Sequence, residues 1–205
     1  MNERIGLAVC ALILVALFAM LGAYVTRRPL GVWDARAVYF RGKGTALALL
    51  FTISGRSRAL VFGYAAATLA FAIFHLPLWI PLGLAASQVI SQGVAELAKS
   101  YYRRTRPDYW LVGLDAGHSY PSGHATTAVT SYAGWACVCA LSTFALPAKV
   151  TLVVFLFLWA AGIMWSRLAL GAHYLSDVAG GLLLGSAWLC IIGALLATSG
   201  LLGRV

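Results

Sequence analysis

The chain has 205 residues, 61% hydrophobic and only 10% charged, with 15 Lys plus Arg against 6 Asp plus Glu and a net charge of +9. Soluble domains average roughly 45–50% apolar and about 25% charged residues, so this composition excludes both a soluble globular domain and a disordered chain. The basic residues fall between apolar stretches, so the positive excess points to anionic lipid or a phosphorylated substrate and not to nucleic acid.

A bilayer core about 30 Å thick takes roughly 20 apolar residues of helix. Ile5 to Thr26, bracketed by Arg4 and Arg27, is a first predicted span. It is longer than the apolar region of a secretory signal and has no clean cleavage site after it, so it is expected to stay. The loop from Arg27 to Arg58 carries an apolar run, Gly44 to Ser54, too short to cross, which predicts an interfacial or re-entrant helix. Ala59 to Ala95 is free of Asp, Glu, Lys and Arg but too long for one helix, and Pro77 and Pro81 divide it into two spans. Ala125 to Ala148, Val150 to Ser166 and Val178 to Gly203 follow. The expected architecture is all-α, a polytopic membrane protein with six transmembrane helices and a short interfacial helix between the first two. Residues 1–205 read as one domain, with no internal repeat. The four cysteines, Cys10, Cys137, Cys139 and Cys190, all lie in predicted spans and read as packing residues without a disulfide or metal framework.

Ionisable groups in or beside spans are costly and are functional candidates by default. Three clusters stand out: Lys99 to Arg106-Pro107 after the third span, Pro121-Ser122-Gly123-His124 before the fourth, and Ser166-Arg167 with His173 and Asp177 between the fifth and sixth. Six spans place all three on one membrane face. Lys99, Arg106 and Arg167 with His124, His173 and Asp177 are the inventory for phosphoryl chemistry: fixed cations for a dianionic phosphate, two imidazoles and one carboxylate. His173 and Asp177 are four apart and share a helix face, so the carboxylate can take one ring nitrogen and leave the other free. Ser122 reads as a helix N-cap, with Gly123 allowing a close backbone approach to an anion. Gln88, Gln92 and Glu96 recur at a spacing of four and predict a protein-facing stripe, with Glu96 in reach of Lys99. Arg103 and Arg104 read as headgroup anchors, His75 as structural, and His118 and Asp115 as loop residues.

Lys99 with six residues before Arg106-Pro107, then Pro121-Ser122-Gly123-His124, then Ser166-Arg167 with five residues before His173 and three before Asp177, resembles the three-part signature of the type 2 phosphatidic acid phosphatase superfamily. The resemblance implies a metal-independent lipid phosphatase, without cofactor, that works through a phosphohistidine. It implies His173 as nucleophile, Asp177 as its orienting carboxylate and His124 as general acid and then base. Lys99, Arg106 and Arg167 would hold the phosphate, with Ser122 and Gly123 adding a hydroxyl and a backbone donor. The implied substrates are membrane lipid phosphates or diphosphates: undecaprenyl diphosphate, phosphatidylglycerophosphate, phosphatidic acid or the 1-phosphate of lipid A.

The Arg27 to Arg58 loop is expected to help bind a heavily anionic headgroup, with Arg36 and Arg41 as candidates. The competing class, a non-catalytic transporter or flippase of an anionic lipid, needs the cations but no nucleophile. Outside the signature, nine basic residues lie on the active face and only Arg4, Lys149 and Arg204 on the other. The positive-inside rule alone puts the active face in the cytoplasm. The resemblance implies the periplasmic face of a bacterial inner membrane, and that is the orientation expected here.

Overall fold

The computed structural model describes residues 2–28, 30–108 and 117–199. Asp115 and Arg204 lie outside them. The first helix, α1 (Asn2–Arg27), stops where Arg28-Pro29 follows in the sequence, since the residue before a proline is driven out of the helical region. A short helix that the sequence pattern did not reveal, α2 (Val32–Ala37), precedes a 3₁₀ turn over Val38–Phe40. Then α3 (Thr45–Ser54) meets α4 (Ser57–Ile73) at a bend of 56°.

The turn predicted around Pro77 and Pro81 is present but tighter. α4 ends at Ile73, His75 takes a positive φ, and α5 (Trp79–Tyr102) carries Pro81 inside its first turn. A proline there costs nothing, because that N–H has no partner within the helix. The next helix runs without a break through α6 (Gly123–Thr127), a π-helical stretch at Ala128–Ala133 and α7 (Gly134–Leu141). The boundary expected at Lys149 lies earlier. α7 stops before Ser142, and α8 (Leu146–Ala169) begins with Pro147 in its first turn, so Lys149 is helical. Pro147, not the charge, marks the start. α9 (Leu175–Ser199) closes the described chain.

No strand occurs among the described residues. Three helical stretches, Glu3–Arg27, Leu146–Ala169 and Leu175–Ala197, are each long and apolar enough to cross a membrane, and the bent pair α3–α4 qualifies as a unit. The chain is therefore an all-helical, multi-pass membrane protein. α5 is long enough to cross but carries Gln88, Ser91, Gln92, Glu96 and Lys99, which lower its hydropathy; Gln88 and Ser91 are buried against the protein.

Packing brings the helix ends together. α1 lies along α9, α3 along α8, and α6 against both α5 and α9. The α6–α9 contact depends on Gly181: a Cβ there would stand 2.5 Å from the Ser122 carbonyl oxygen. The close approach places the start of α6 beside the start of α9. A small core forms where Phe18 of α1 stacks on Tyr120, 5.4 Å between ring centroids, with Tyr102 edge-on to both. Tyr120 also donates to the Phe18 carbonyl at 2.7 Å, which ties the residues just before α6 to α1.

Candidate active site

The C-terminal half of α5, the N-terminal ends of α4 and α6 and the connection between α8 and α9 surround a cavity of about 660 Å³. Lys99, Arg106, Gly123, His124 and His173 line it, together with Gln92, Glu96 and the Gly55–Arg58 segment between α3 and α4. Three sequence clusters separated by up to 74 positions thus meet at one place.

His173 sits in the short connection between α8 and α9, almost wholly buried. Its Nδ1 lies 3.5 Å from Asp177 Oδ2 and 3.4 Å from Ser119 Oγ. Its Nε2 lies 3.2 Å from Arg106 Nη1. A proton on Nδ1, assigned from the adjacent carboxylate, leaves the Nε2 lone pair facing the cavity. Burial pushes the imidazole down to about 4; Asp177 opposes that shift, and Arg167 and Arg106 reinforce it. The ring is therefore neutral at neutral pH, the state a nitrogen nucleophile requires.

Asp177 is fully buried and saturated with donors. Its Oδ2 accepts from Ser119 Oγ at 2.5 Å and from the Tyr174 backbone N–H at 2.8 Å. Its Oδ1 accepts from Arg104 Nη1 at 2.6 Å. Arg104 is thus not the exposed headgroup anchor that its position in a basic run suggests. Arg103, exposed, takes a left-handed conformation (φ 50°) as the C-cap of α5, and the residue after it is turned into the interior. There Arg104 pairs with Asp177 on one side and with Asp34 of α2, at 2.9 Å, on the other. Burial alone would lower its pKa; Asp177 and Asp34 outweigh that and raise it. Asp34 also accepts from the Ser176 backbone N–H at 2.8 Å and from Ser176 Oγ at 2.6 Å, so α2 caps the start of α9.

Arg106 is held by two carbonyl oxygens, Gly117 at 3.0 Å and Ala172 at 3.1 Å, as well as by His173. Lys99 pairs with Glu96 at 2.6 Å, and Gln92 donates to the same carboxylate oxygen at 3.2 Å. Of the Gln88–Gln92–Glu96 stripe, Gln88 is packed against the protein, donating to Thr127 at 2.8 Å and accepting from Thr130 and Ser131, whereas Gln92 and the exposed Glu96 face the cavity. A Cβ at Gly123 would stand 2.8 Å from Gln92 Nε2 and 3.3 Å from Lys99 Nζ, so a side chain there would displace the ends of these two residues.

His124 heads α6 with Nε2 buried and without a hydrogen-bond partner among the described residues. Ser122 caps the helix by accepting from Ala125 N–H at 3.4 Å, is fully buried and does not line the cavity. Arg167 is also buried behind the cavity wall, donating to Thr52 Oγ1 at 2.9 Å. Of the eight sequence-derived site residues, Lys99, Arg106, Gly123, His124 and His173 face the cavity, while Asp177, Ser122 and Arg167 stand behind it. Asp34, Thr52, Arg104 and Ser119 carry interactions at the site that no motif announced. Arg36 lies outside the lining, stacked on Trp33 at 5.3 Å, and Arg41 is likewise not part of it.

A second cavity, about 860 Å³, runs between α4 and α5. Leu60, Val61, Leu69, Leu82 and Val89 make it apolar, and it shares Ser57, Gln92 and Glu96 with the first. The polar site and the apolar groove are therefore contiguous.

A membrane-embedded helical fold with two imidazoles, a buried carboxylate and clustered cations at one end defines a class built to handle phosphate at a lipid surface. Residues 76–200 match the PAP2 superfamily, and the chain belongs to it. A lipid A 1-phosphatase from Rhizobium johnstonii is 31% identical over 138 residues, which is 62% of this chain and 52% of that protein. The chain thus spans about half the length of that curated relative. The crystal structure of a transmembrane PAP2-type phosphatidylglycerolphosphate phosphatase from Bacillus subtilis shares the fold, with a TM-score of 0.73 over 97% of this chain and 98% of that one at 21% identity.

Proposed function

We propose that the protein hydrolyses a phosphate from a membrane lipid phosphate or diphosphate, without a metal, through a phosphohistidine on His173. The observation that carries this is the cavity itself. It presents His173 Nε2, backed by Asp177, to the same space as His124, Lys99 and Arg106, and continues into an apolar groove suited to a lipid chain. The R. johnstonii relative, a lipid A 1-phosphatase by name, supports a lipid phosphate as substrate.

In this reading Lys99 and Arg106 bind the phosphate dianion, Arg167 adds its charge from behind the cavity wall, and the three stabilise charge on the phosphate oxygens as the transition state forms. His173 Nε2 attacks phosphorus, and the bond from phosphorus to the lipid oxygen breaks. His124 gives its proton to that oxygen. Water then attacks the phosphohistidine, yields a proton to His124, and breaks the phosphorus–nitrogen bond to release inorganic phosphate. Asp177 orients His173 and stabilises the positive charge that its ring acquires.

We place six crossings in the membrane, counting α3–α4 as a bent span and adding α5 and the continuous α6–α7 helix, whose polar side chains face the protein. The site is assigned to the periplasmic face of a bacterial inner membrane. Purified protein in detergent with a chelator present is expected to release phosphate from such lipids, to lose turnover in His173→Ala and His124→Ala, and to be inhibited by vanadate. A transporter or flippase would release none. Full activity in His173→Ala would refute the mechanism.

A further inference from the structure

We infer that Arg56 and Arg58 form a second anion subsite, which binds a further phosphate carried by the part of the lipid that leaves. This rests on the lipid phosphatase reading and narrows it to lipid diphosphates and to lipids with a second phosphate near the scissile one.

Three observations converge on this. Arg56, the N-cap of α4, and Arg58, in its first turn, follow the bend between α3 and α4, are exposed, and line the same cavity as His124 and His173. Their segment leans on the imidazole of His124: a Cβ at Gly55 would stand 3.0 Å from His124 Cδ2. In the proposed reaction His124 protonates the leaving oxygen, so groups on its side of the cavity meet the leaving group and not the phosphate being transferred.

The second observation is charge. Among the described residues the lining holds Arg56, Arg58, Lys99 and Arg106 against a single carboxylate, Glu96, which is already bonded to Lys99. Lys99 and Arg106, with Arg167 behind them, match one phosphate dianion. Arg56 and Arg58 are then surplus, and neither makes an ion pair among the described residues. Guanidinium is suited to bidentate phosphate binding.

The third is the path of the lipid. Ser57, between the two arginines, is shared by the polar cavity and the apolar groove, so a chain lying in the groove leads its headgroup past both side chains. Phosphatidic acid, whose leaving product is uncharged, offers the pair nothing. A diphosphate does.

The test compares phosphatidic acid and diacylglycerol diphosphate with the same acyl chains, in neutral detergent micelles. Losing a charge-assisted bond is worth about tenfold or more. In Arg56→Gln/Arg58→Gln, kcat/KM on the diphosphate is expected to fall by at least about tenfold, and on phosphatidic acid by less than about threefold. Arg56→Lys/Arg58→Lys should recover part of the loss. Arg28→Gln/Arg36→Gln removes the same charge outside the cavity lining and should spare the discrimination. Equal losses on both lipids, or no loss, would overturn the subsite while leaving the phosphatase reading intact. A loss on phosphatidic acid that emerges only when phosphatidylglycerol is added would overturn it too, since the arginines would then be reading neighbouring lipids. If the unaltered protein cleaves neither of these lipids, nor undecaprenyl diphosphate, phosphatidylglycerophosphate or lipid A, the phosphatase reading itself fails.

Discussion

Arg104 Nη1 stands 2.6 Å from Asp177 Oδ1, and the same guanidinium reaches Asp34 of α2 at 2.9 Å. One buried cation thus joins the carboxylate behind His173 to a helix outside all three signature clusters. Removing it leaves two buried carboxylates without their shared cation, a loss that typically costs about 3–5 kcal/mol. Arg104→Ala is expected to destabilise the protein by about that amount in detergent unfolding. Asp34→Asn, which leaves the Arg104–Asp177 pair in place, should cost less. Equal stability of Arg104→Ala and the unaltered chain would show that the ion pairs contribute nothing.

His173 links stability to pH. Its folded value, about 4, lies below the roughly 6.5 of an unfolded histidine. Between those values the unfolded chain binds more protons, so this contribution is complete above about pH 6.5 and is lost as pH falls toward about 4. His173→Asn should flatten the decline in melting temperature across that window. A decline of the same size in the variant would remove His173 as its source.

His124 has two tasks in the proposed reaction, and an activated substrate separates them. An aryl phosphate with a good leaving group needs no general acid, but the phosphohistidine still needs a base for hydrolysis. His124→Ala should therefore release aryl alcohol in a burst and accumulate an acid-labile phosphate on His173, with steady turnover lowered about 10²–10⁴-fold. Detection of that adduct by mass spectrometry checks it. Absence of both burst and adduct would argue against a covalent route.

Gly123 is packed against the ends of two flexible side chains, Gln92 and Lys99. An added methyl must push the Gln92 amide aside and crowd the Lys99 ammonium, at little cost to the rest of the fold. Gly123→Ala should lower kcat/KM by about ten- to a hundredfold, equivalent to roughly 1.4–2.8 kcal/mol, while the melting temperature changes little. A large fall in melting temperature with unchanged kcat/KM would reverse this reading.

Orientation is open to chemical labelling. In a background with Cys10, Cys137, Cys139 and Cys190 replaced, Arg41→Cys should react with an impermeant maleimide in intact cells once the outer membrane is opened. Protection until the inner membrane is broken would place the active face in the cytoplasm, as the positive-inside rule alone suggests.

The parts of the site that read directly from the sequence are those whose chemistry is conspicuous in an apolar chain. Lys99, Arg106, His124 and His173 are charged or titratable at the ends of greasy segments, and the family signature orders them. Asp34, Ser119 and Thr52 carry no such mark. Each acquires its role from a partner far away in sequence: Asp34 from Arg104 and Ser176, Ser119 from Asp177, Thr52 from Arg167. Ser122 was legible as the N-cap it is, and the sequence did not show that it would lie behind the cavity wall. The helix boundary near Lys149 was displaced because a lysine in a first turn is tolerated, whereas Pro147 fixes the start. The glutamines of α5 that organise the site also dilute its hydropathy, so that crossing reads from the uncharged run up to Ala95 and not from strong apolarity.

The shared wall formed by Ser57, Gln92 and Glu96 bears on how encounter with substrate is counted. A lipid can seat its chain in the groove between α4 and α5 while its phosphate reaches His173, so it need not be extracted into water. Encounter is then two-dimensional. Turnover would follow the mole fraction of substrate in the surrounding leaflet and fall when inert lipid dilutes that surface, even with the bulk amount held constant.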